Sequence, residues 1–231
     1  MMKLQWPQLI NFTTPSIIRI LNKLGNVPAD VLAPSGADVF NALKLTSPDD
    51  VKVIIIGQDP YIRGEAHGLA FSSQLGMTPS LEVMFNELTR SGFIRSNPNL
   101  TDWAEQGVLL LNTILTTQKG ISLAHEDYGW QEVTKSVVEY AIYLENPIVV
   151  LLWGQHARDF WFQIVRDVGT PALHNVHVLT SCHPVAEKRN GICFTGNNHF
   201  LLANEWLKEQ GATPINWNDG SKYNGKATER R

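Results

Sequence analysis

Apolar side chains recur along this chain in two rhythms. Four short runs rich in β-branched residues, at 51–56, 108–111, 148–153 and 176–180, are continuous rather than alternating, as expected of strands buried on both faces. Around them apolar residues return at helical spacing. Thr14 and Pro15 read as N-cap and first residue of a helix running to about Leu24 and stopped by Gly25. Ser80 is placed to cap a segment with Leu81, Met84, Phe85 and Leu88 on one face, ending near Gly92. Thr101 can cap a short turn before Gly107, and Val133, Val137, Ala141 and Leu144 mark a helix over 130–144. Residues 155–168 and 198–209 complete the set. Strand–helix alternation predicts an α/β fold with a parallel sheet covered by helices on both faces. No repeat or dividing linker interrupts the pattern. We expect one domain over 1–217 and a polar, frayed tail over 218–231.

The unusual polar words follow the apolar runs directly. They are Gly57-Gln58-Asp59-Pro60-Tyr61, Asn112-Thr113, Gly154-Gln155-His156 and Ser181-Cys182-His183-Pro184. In open parallel sheets, sites form outside the carboxyl ends of the strands, so these words are expected to meet in one crevice.

Composition narrows the chemistry. The chain has 231 residues, 43% of them hydrophobic, enough for a sizeable core without metal or disulfide support. Its formal net charge of −3 excludes a global positive field for nucleic acid, so any DNA contact must use local groups. Cys182 and Cys193 are its two cysteines; that count fits a reducing compartment, offers no disulfide framework and excludes a four-cysteine metal or iron–sulfur site. The start, Met1-Met2-Lys3, carries no apolar leader, and no apolar run approaches the roughly 20 residues of a membrane span. A soluble, intracellular, cytoplasmic protein is expected, nuclear if the source is eukaryotic or viral.

Each polar word has a structural and a chemical reading. Asp59 before Pro60 is an ordinary turn carboxylate, or one that orients water and faces a developing cation. His183 is a structural histidine at a strand end, or an acid, base or polariser. Asn112 caps a strand, or presents a donor and an acceptor to one planar ligand. Phe71 is core, or a stacking platform for a base. There is no G-x-S-x-G, P-loop, G-x-G-x-x-G or H-E-x-x-H. His174 and His177, three apart in a strand-like stretch, would face opposite ways, which speaks against a metal site. Cys182 and His183, as neighbours on a strand, would also point apart and make a poor thiol–imidazole pair.

Taken together, the words resemble those of the family 1 uracil-DNA glycosylases. Residues 53–61, ending Gly57-Gln58-Asp59-Pro60-Tyr61, resemble the water-activating motif, and Ala66-His67-Gly68-Leu69-Ala70-Phe71-Ser72 its continuation. Pro79-Ser80-Leu81 is similar to the family's proline-serine loop, and residues 107–113, ending Asn112-Thr113, to its uracil-reading strand. Leu151-Leu152-Trp153-Gly154 and His183-Pro184 follow in the family's order, and Phe40-Asn41-Ala42 and Pro214-Ile215-Asn216-Trp217 extend the likeness over nearly the whole chain.

The resemblance implies a single three-layer α/β/α domain with a central four-stranded parallel sheet, and hydrolysis of the N-glycosidic bond of uracil in DNA without metal or cofactor. The base must leave the stack before this bond can be reached. The resemblance casts Asp59 and His183 as catalytic residues, the first facing the sugar cation and positioning water, the second donating to uracil O2. It casts Gln58, Tyr61, Phe71 and Asn112 as uracil-binding: the Gln58 N–H on O2, the Tyr61 ring against C5 where thymine's methyl would clash, Phe71 stacked on the base, Asn112 on N3–H and O4. Ser80, Gly154, Gln155, Lys188 and Arg189 would face DNA, and His125 resembles a family histidine near the DNA side. Uracil-containing DNA, single or double stranded, is the implied partner of a monomer. A proteinaceous uracil-glycosylase inhibitor and replication proteins are further candidates, and no membrane is implied.

The chain departs from the family pattern at Ile62, usually histidine, in a stretch from Tyr61 to Ala66 one residue shorter than usual. Gln155 stands for a phosphate-binding serine, Val185 for another, and Glu187 for the leucine that fills the space left by the flipped base. Lys188 or Arg189 could fill that space by stacking, or form a solvated basic turn. A non-enzymatic DNA-binding scaffold and a mismatch glycosylase of a related branch are the competing readings. Retention of Asp59, Tyr61, Phe71, Asn112 and His183 speaks against the scaffold. Tyr61 and the cysteine count speak against the mismatch branch.

Overall fold

The computed structural model describes residues 5, 6, 14–191 and 193–220. The N-terminal Met1-Met2-Lys3 and residues 221–231 of the expected tail lie outside the described residues.

The four apolar runs form one parallel sheet. Its strands are β2 (Val53–Gly57), β3 (Val108–Asn112), β5 (Ile148–Trp153) and β6 (Val176–Ser181), in the order β3-β2-β5-β6. A separate antiparallel pair, β1 (Leu32–Ala33) with β4 (Thr117–Gln118), was not foreseen from the pattern. Every residue of β2, β3 and β5 is buried, as a continuous apolar run requires. β6 is the exception: it is half-buried along most of its length, whereas β3, the other edge strand, is fully buried. His174 precedes it in a turn, and His177 stacks on Trp206.

Helices cover the sheet in a three-layer α/β/α arrangement. They are α1 (Pro15–Leu24), α2 (Asn41–Leu45), α3 (Pro79–Arg90), α4 (Thr101–Ala104), α5 (Trp130–Tyr143), α6 (Gln155–Val168), α7 (Pro184–Asn190) and α8 (His199–Glu209). α6 and α8 both pack on the fully buried β5, α2 and α4 pack on β3, and α1 packs on α5. Trp103, Trp153, Phe194, Phe200 and Trp217 meet in the core, edge to face except for the tilted Trp103–Phe200 pair, geometry favoured by the ring quadrupole.

Three local expectations are corrected. Ser80 is not the cap of α3: Thr78 is, its hydroxyl accepting from the Leu81 N–H at 3.4 Å, with Pro79 as first helical residue. That order follows the preference for proline just inside a helix start. The expected tail does not begin at Asn218. Asp219 accepts from the Ser96 and Asn97 N–H groups and the Ser96 hydroxyl, while the Asn218 side chain accepts from the Ile94 N–H. The two cysteines do not stay apart: Cys182 and Cys193 form a disulfide. Their separation of 11 residues along the chain is spanned by α7 and a returning loop, which only the folded chain brings back to β6.

Candidate active site

The sheet opens where the polar words lie. β2 pairs with β3 over five positions, ending Gly57 opposite Asn112, and β5 pairs with β6 over six, ending Trp153 opposite Ser181. Between them β2 pairs with β5 over Val53, Ile54 and Ile55 only. The two central strands part before their carboxyl ends, and the chain leaves them toward opposite edges of the sheet. This is the switch point at which open α/β sheets bind ligands.

A cleft of about 270 Å³ fills that opening, lined by Gln58, Asp59, Tyr61, Phe71, Asn112 and His183, among others. The structure therefore brings together both residues expected to be catalytic and all four expected to bind the base. Ser80 lines the same cleft but is buried rather than presented to solvent. Gly154 and Gln155 border an adjoining cavity of about 220 Å³ that shares Gln58, Phe71 and His183 with the first. The Gln155 amide donates to Asp159.

Asp59 owes its place to two loops. The Gln58 carbonyl accepts from the Ile114 N–H at 2.9 Å and the Thr113 hydroxyl at 3.1 Å, so the segments leaving β2 and β3 stay joined beyond the sheet. Asp59 Oδ2 accepts from the Ser122 hydroxyl at 2.9 Å and the Leu123 N–H at 2.7 Å. Oδ1 has no hydrogen bond among the described residues and remains available as an acceptor. Ser122 and Leu123, more than sixty residues away in sequence, were missed from the sequence because nothing local marks them.

His183 ends β6's polar word and caps α7. Its Nδ1 accepts from the Val185 N–H at 3.2 Å, so the neutral ring carries its proton on Nε2 and can donate. Burial lowers its pKa below the usual histidine range, and the Arg189 charge lowers it further; the ring is neutral at neutral pH. Gly154 makes room for it: at φ +94°, a Cβ there would lie 2.9 Å from the His183 Cβ, a position open to glycine alone.

Phe71, Tyr61 and Asn112 form the remaining walls. Phe71 holds a left-handed φ of 62°, uncommon and costly for a bulky residue. Its ring meets Trp153 edge to face at 5.4 Å and lies 5.8 Å from His183. The Tyr61 hydroxyl bonds Thr78 Oγ1 at 2.9 Å and donates weakly to the Phe71 carbonyl at 3.4 Å. Burial raises the phenol's pKa, which keeps it neutral. The Asn112 side chain lines the cleft with no hydrogen bond to the described residues, so its amide is free for a ligand. Among the described residues no group of three or more His, Cys, Asp or Glu is placed to hold a metal, and no helix is long and apolar enough to cross a membrane.

The segment after His183 folds inward. Glu187, at the position of the family's leucine, does not face the cleft opening. Its carboxylate accepts from the Phe194 and Thr195 N–H groups at 2.8 and 2.6 Å and from the Thr195 hydroxyl, which lowers its pKa despite partial burial. Glu87, buried on α3, accepts from the Gly196 and Asn198 N–H groups. Two carboxylates and the disulfide thus secure the loop beyond α7. Lys188 is ion-paired with Glu82 of α3, while Arg189 is exposed. His125, grouped by sequence with the DNA side, is fully buried: its Nδ1 bonds the Thr116 hydroxyl at 2.9 Å and its ring stacks on Tyr128.

The chain is similar to known proteins over most of its length. Residues 43–208 match the sequence model of the Uracil DNA glycosylase superfamily. The chain is 42% identical over 210 residues to the uracil-DNA glycosylase of Escherichia coli O1:K1, covering 85% of this chain and 87% of that protein. The crystal structure of mimivirus uracil-DNA glycosylase superposes with a TM-score of 0.79 at 23% identity, over 93% of this chain and 87% of that one. A substituted mimivirus UNG in complex with UGI superposes with a TM-score of 0.71 at 21% identity, over 94% and 92%.

Proposed function

The chain belongs to the uracil DNA glycosylase superfamily and excises uracil from DNA as a hydrolase of N-glycosyl bonds; from that premise we propose the following division of labour within its cleft. Residues 1–217 act as one catalytic unit. A uracil nucleotide turned out of the stack enters the crevice between the ends of β2 and β5. Phe71 stacks on the base. The Asn112 amide accepts from N3–H and donates to O4. Cytosine inverts that pattern and would leave both amide groups unpaired, at a cost of about 1–3 kcal/mol for each. Tyr61 closes the space beside C5 and excludes thymine's methyl.

Bond cleavage separates charge. The sugar becomes cation-like and the departing base gains negative charge on O2. His183 Nε2–H and the Gln58 N–H donate to O2, and the anchored histidine needs no reorientation as charge develops. Asp59, its Oδ2 occupied by Ser122 and Leu123, offers Oδ1 to the sugar cation and to the attacking water. The observation that supports this reading best is the placement in one cleft of a carboxylate with one free oxygen and a neutral histidine with one free donor.

Ser80, Gly154, Gln155, Lys188 and Arg189 form the proposed DNA-facing rim. Lys188 must leave Glu82 to reach a phosphate, and Arg189 is the freer of the two cations. The complex of the related mimivirus protein with UGI supports a protein inhibitor as a partner of this chain. Its substrate places the protein in a DNA-containing compartment, and we infer a cytoplasmic monomer.

The test uses single strands carrying uracil, thymine or cytosine, followed by alkali. Breaks are expected at uracil alone, lost in Asp59→Asn and suppressed by added UGI. Full activity of Asp59→Asn would overturn the assignment of the carboxylate.

A further inference from the structure

A bridge crosses the gap where β2 and β5 part, and none of the roles above accounts for it. His156 stands in the first turn of α6, and its Nε2 lies 2.7 Å from Thr113 Oγ1. Thr113 Oγ1 lies 3.1 Å from the Gln58 carbonyl. A hydroxyl has one proton and a carbonyl can only accept, so Thr113 donates to Gln58 and His156 donates to Thr113. Thr113 is completely buried, and its own carbonyl accepts from Thr134 Oγ1 of α5 at 3.0 Å. Its N–H donates to the Gly57 carbonyl.

The Gln58 carbonyl and the Asp59 N–H belong to one planar peptide. Fixing that carbonyl fixes the plane from which the Asp59 side chain departs. The other end of the bridge is equally placed. His156 lies two residues after Gly154, whose N–H donates to the Ser181 carbonyl and whose Cα faces the His183 Cβ. The bridge therefore spans the two walls of the cleft, the Asp59 wall and the His183 wall, where the sheet itself no longer joins them.

We propose that His156 and Thr113 are positioning residues, which set the Gln58–Asp59 peptide against His183 and so hold the carboxylate and the O2 donors in register for bond cleavage. The proposal rests on the assignment of Asp59 and His183 given above. The effect is on the chemical step, since neither residue's bridge depends on bound DNA. A misplacement of about 1 Å in such an array costs up to about 100-fold in rate.

The experiment measures single-turnover excision and DNA affinity for Thr113→Val, His156→Leu, their double variant, His156→Gln and Asp59→Asn, with far-UV circular dichroism on each. Thr113→Val and His156→Leu are expected to slow excision roughly 10-fold to 100-fold with DNA affinity unchanged. The double variant should be no slower than the worse single, because both break one chain of bonds. His156→Gln keeps an N–H donor and should recover most of the rate. If Thr113→Val does not fold, Thr113→Ser, which keeps the hydroxyl, should match the wild-type rate while His156→Leu does not. Wild-type excision in Thr113→Val and His156→Leu, strictly additive losses, or no recovery in His156→Gln would overturn the bridge. Full activity in Asp59→Asn would instead overturn the assignment beneath it.

Discussion

Gly57 ends β2 directly opposite Asn112, and the two leave no room for a methyl group. A Cβ at position 57 would lie 2.1 Å from Asn112 Oδ1, 3.2 Å from Asn112 Cγ and 2.9 Å from the Ala70 Cβ, where ordinary contact begins at 3.4 Å. Ala70 cannot retreat: it is buried and its N–H donates to the Leu110 carbonyl at 3.0 Å. The Asn112 amide has no hydrogen bond among the described residues to resist displacement. In Gly57→Ala the amide therefore swings away, and its two bonds to the base lose their geometry. A shift of that size is expected to lower kcat/KM for uracil about 100-fold, or about 2.7 kcal/mol at 1.36 kcal/mol per tenfold. Overpacking should also lower stability by about 1–3 kcal/mol. The assay is steady-state excision from a uracil-containing single strand, with thermal unfolding followed in parallel. Gly36→Ala is the control, because nothing lies within 4 Å of the added Cβ there. A folded Gly57→Ala enzyme with wild-type kcat/KM would refute the claim that Asn112 reads the base from this position.

Other consequences can be checked directly. Tyr61→Ala removes the ring beside C5 and should bring thymine excision into view, relaxing a discrimination worth about 1–3 kcal/mol per methyl-sized overlap; absence of any thymine cleavage would sink that role. Burial lowers the pKa of His199 to about 4, and its Nδ1 accepts from Trp153 Nε1 at 3.0 Å. A depressed histidine pKa means that the unfolded chain binds the extra proton first, so stability is complete above pH 6.5 and lost as the pH falls toward 4. Its share is about 3 kcal/mol at 1.36 kcal/mol per unit, and urea titrations at several pH values should show a flatter acid limb for His199→Gln than for the wild type. Cys193→Ser opens a short loop and should cost about 2–3 kcal/mol by loop-closure entropy, read as an earlier urea midpoint; a midpoint equal to the wild type's in non-reducing buffer would show that the bridge contributes nothing.

The chain's local pattern was sufficient for the four sheet strands, the longer helices and the existence of a crevice, but not for α2, α7 or the β1–β4 pair. Continuous apolar runs named the four sheet strands to within a residue or two; in β2, β3 and β5 burial on both faces requires such a run, and β6 carries the same pattern though only half-buried. The polar words at the strand ends located Asp59, Asn112 and His183, and the family resemblance attached roles to them. What the pattern could not carry was anything decided between distant segments. Thr78 took the cap expected of Ser80 because Pro79 fits the first helical position. Glu187 turned inward because the Cys193–Thr195 loop presents N–H groups that its carboxylate accepts. The grip of Ser122 and Leu123 on Asp59, the Cys182–Cys193 bridge and the His156–Thr113–Gln58 bonds all join groups that sequence spacing leaves unrelated. Helix and strand periods report which way a side chain faces within its own element. Which other element it meets there is set by how the layers pack and where β2 and β5 part, and that geometry exists only in the folded chain.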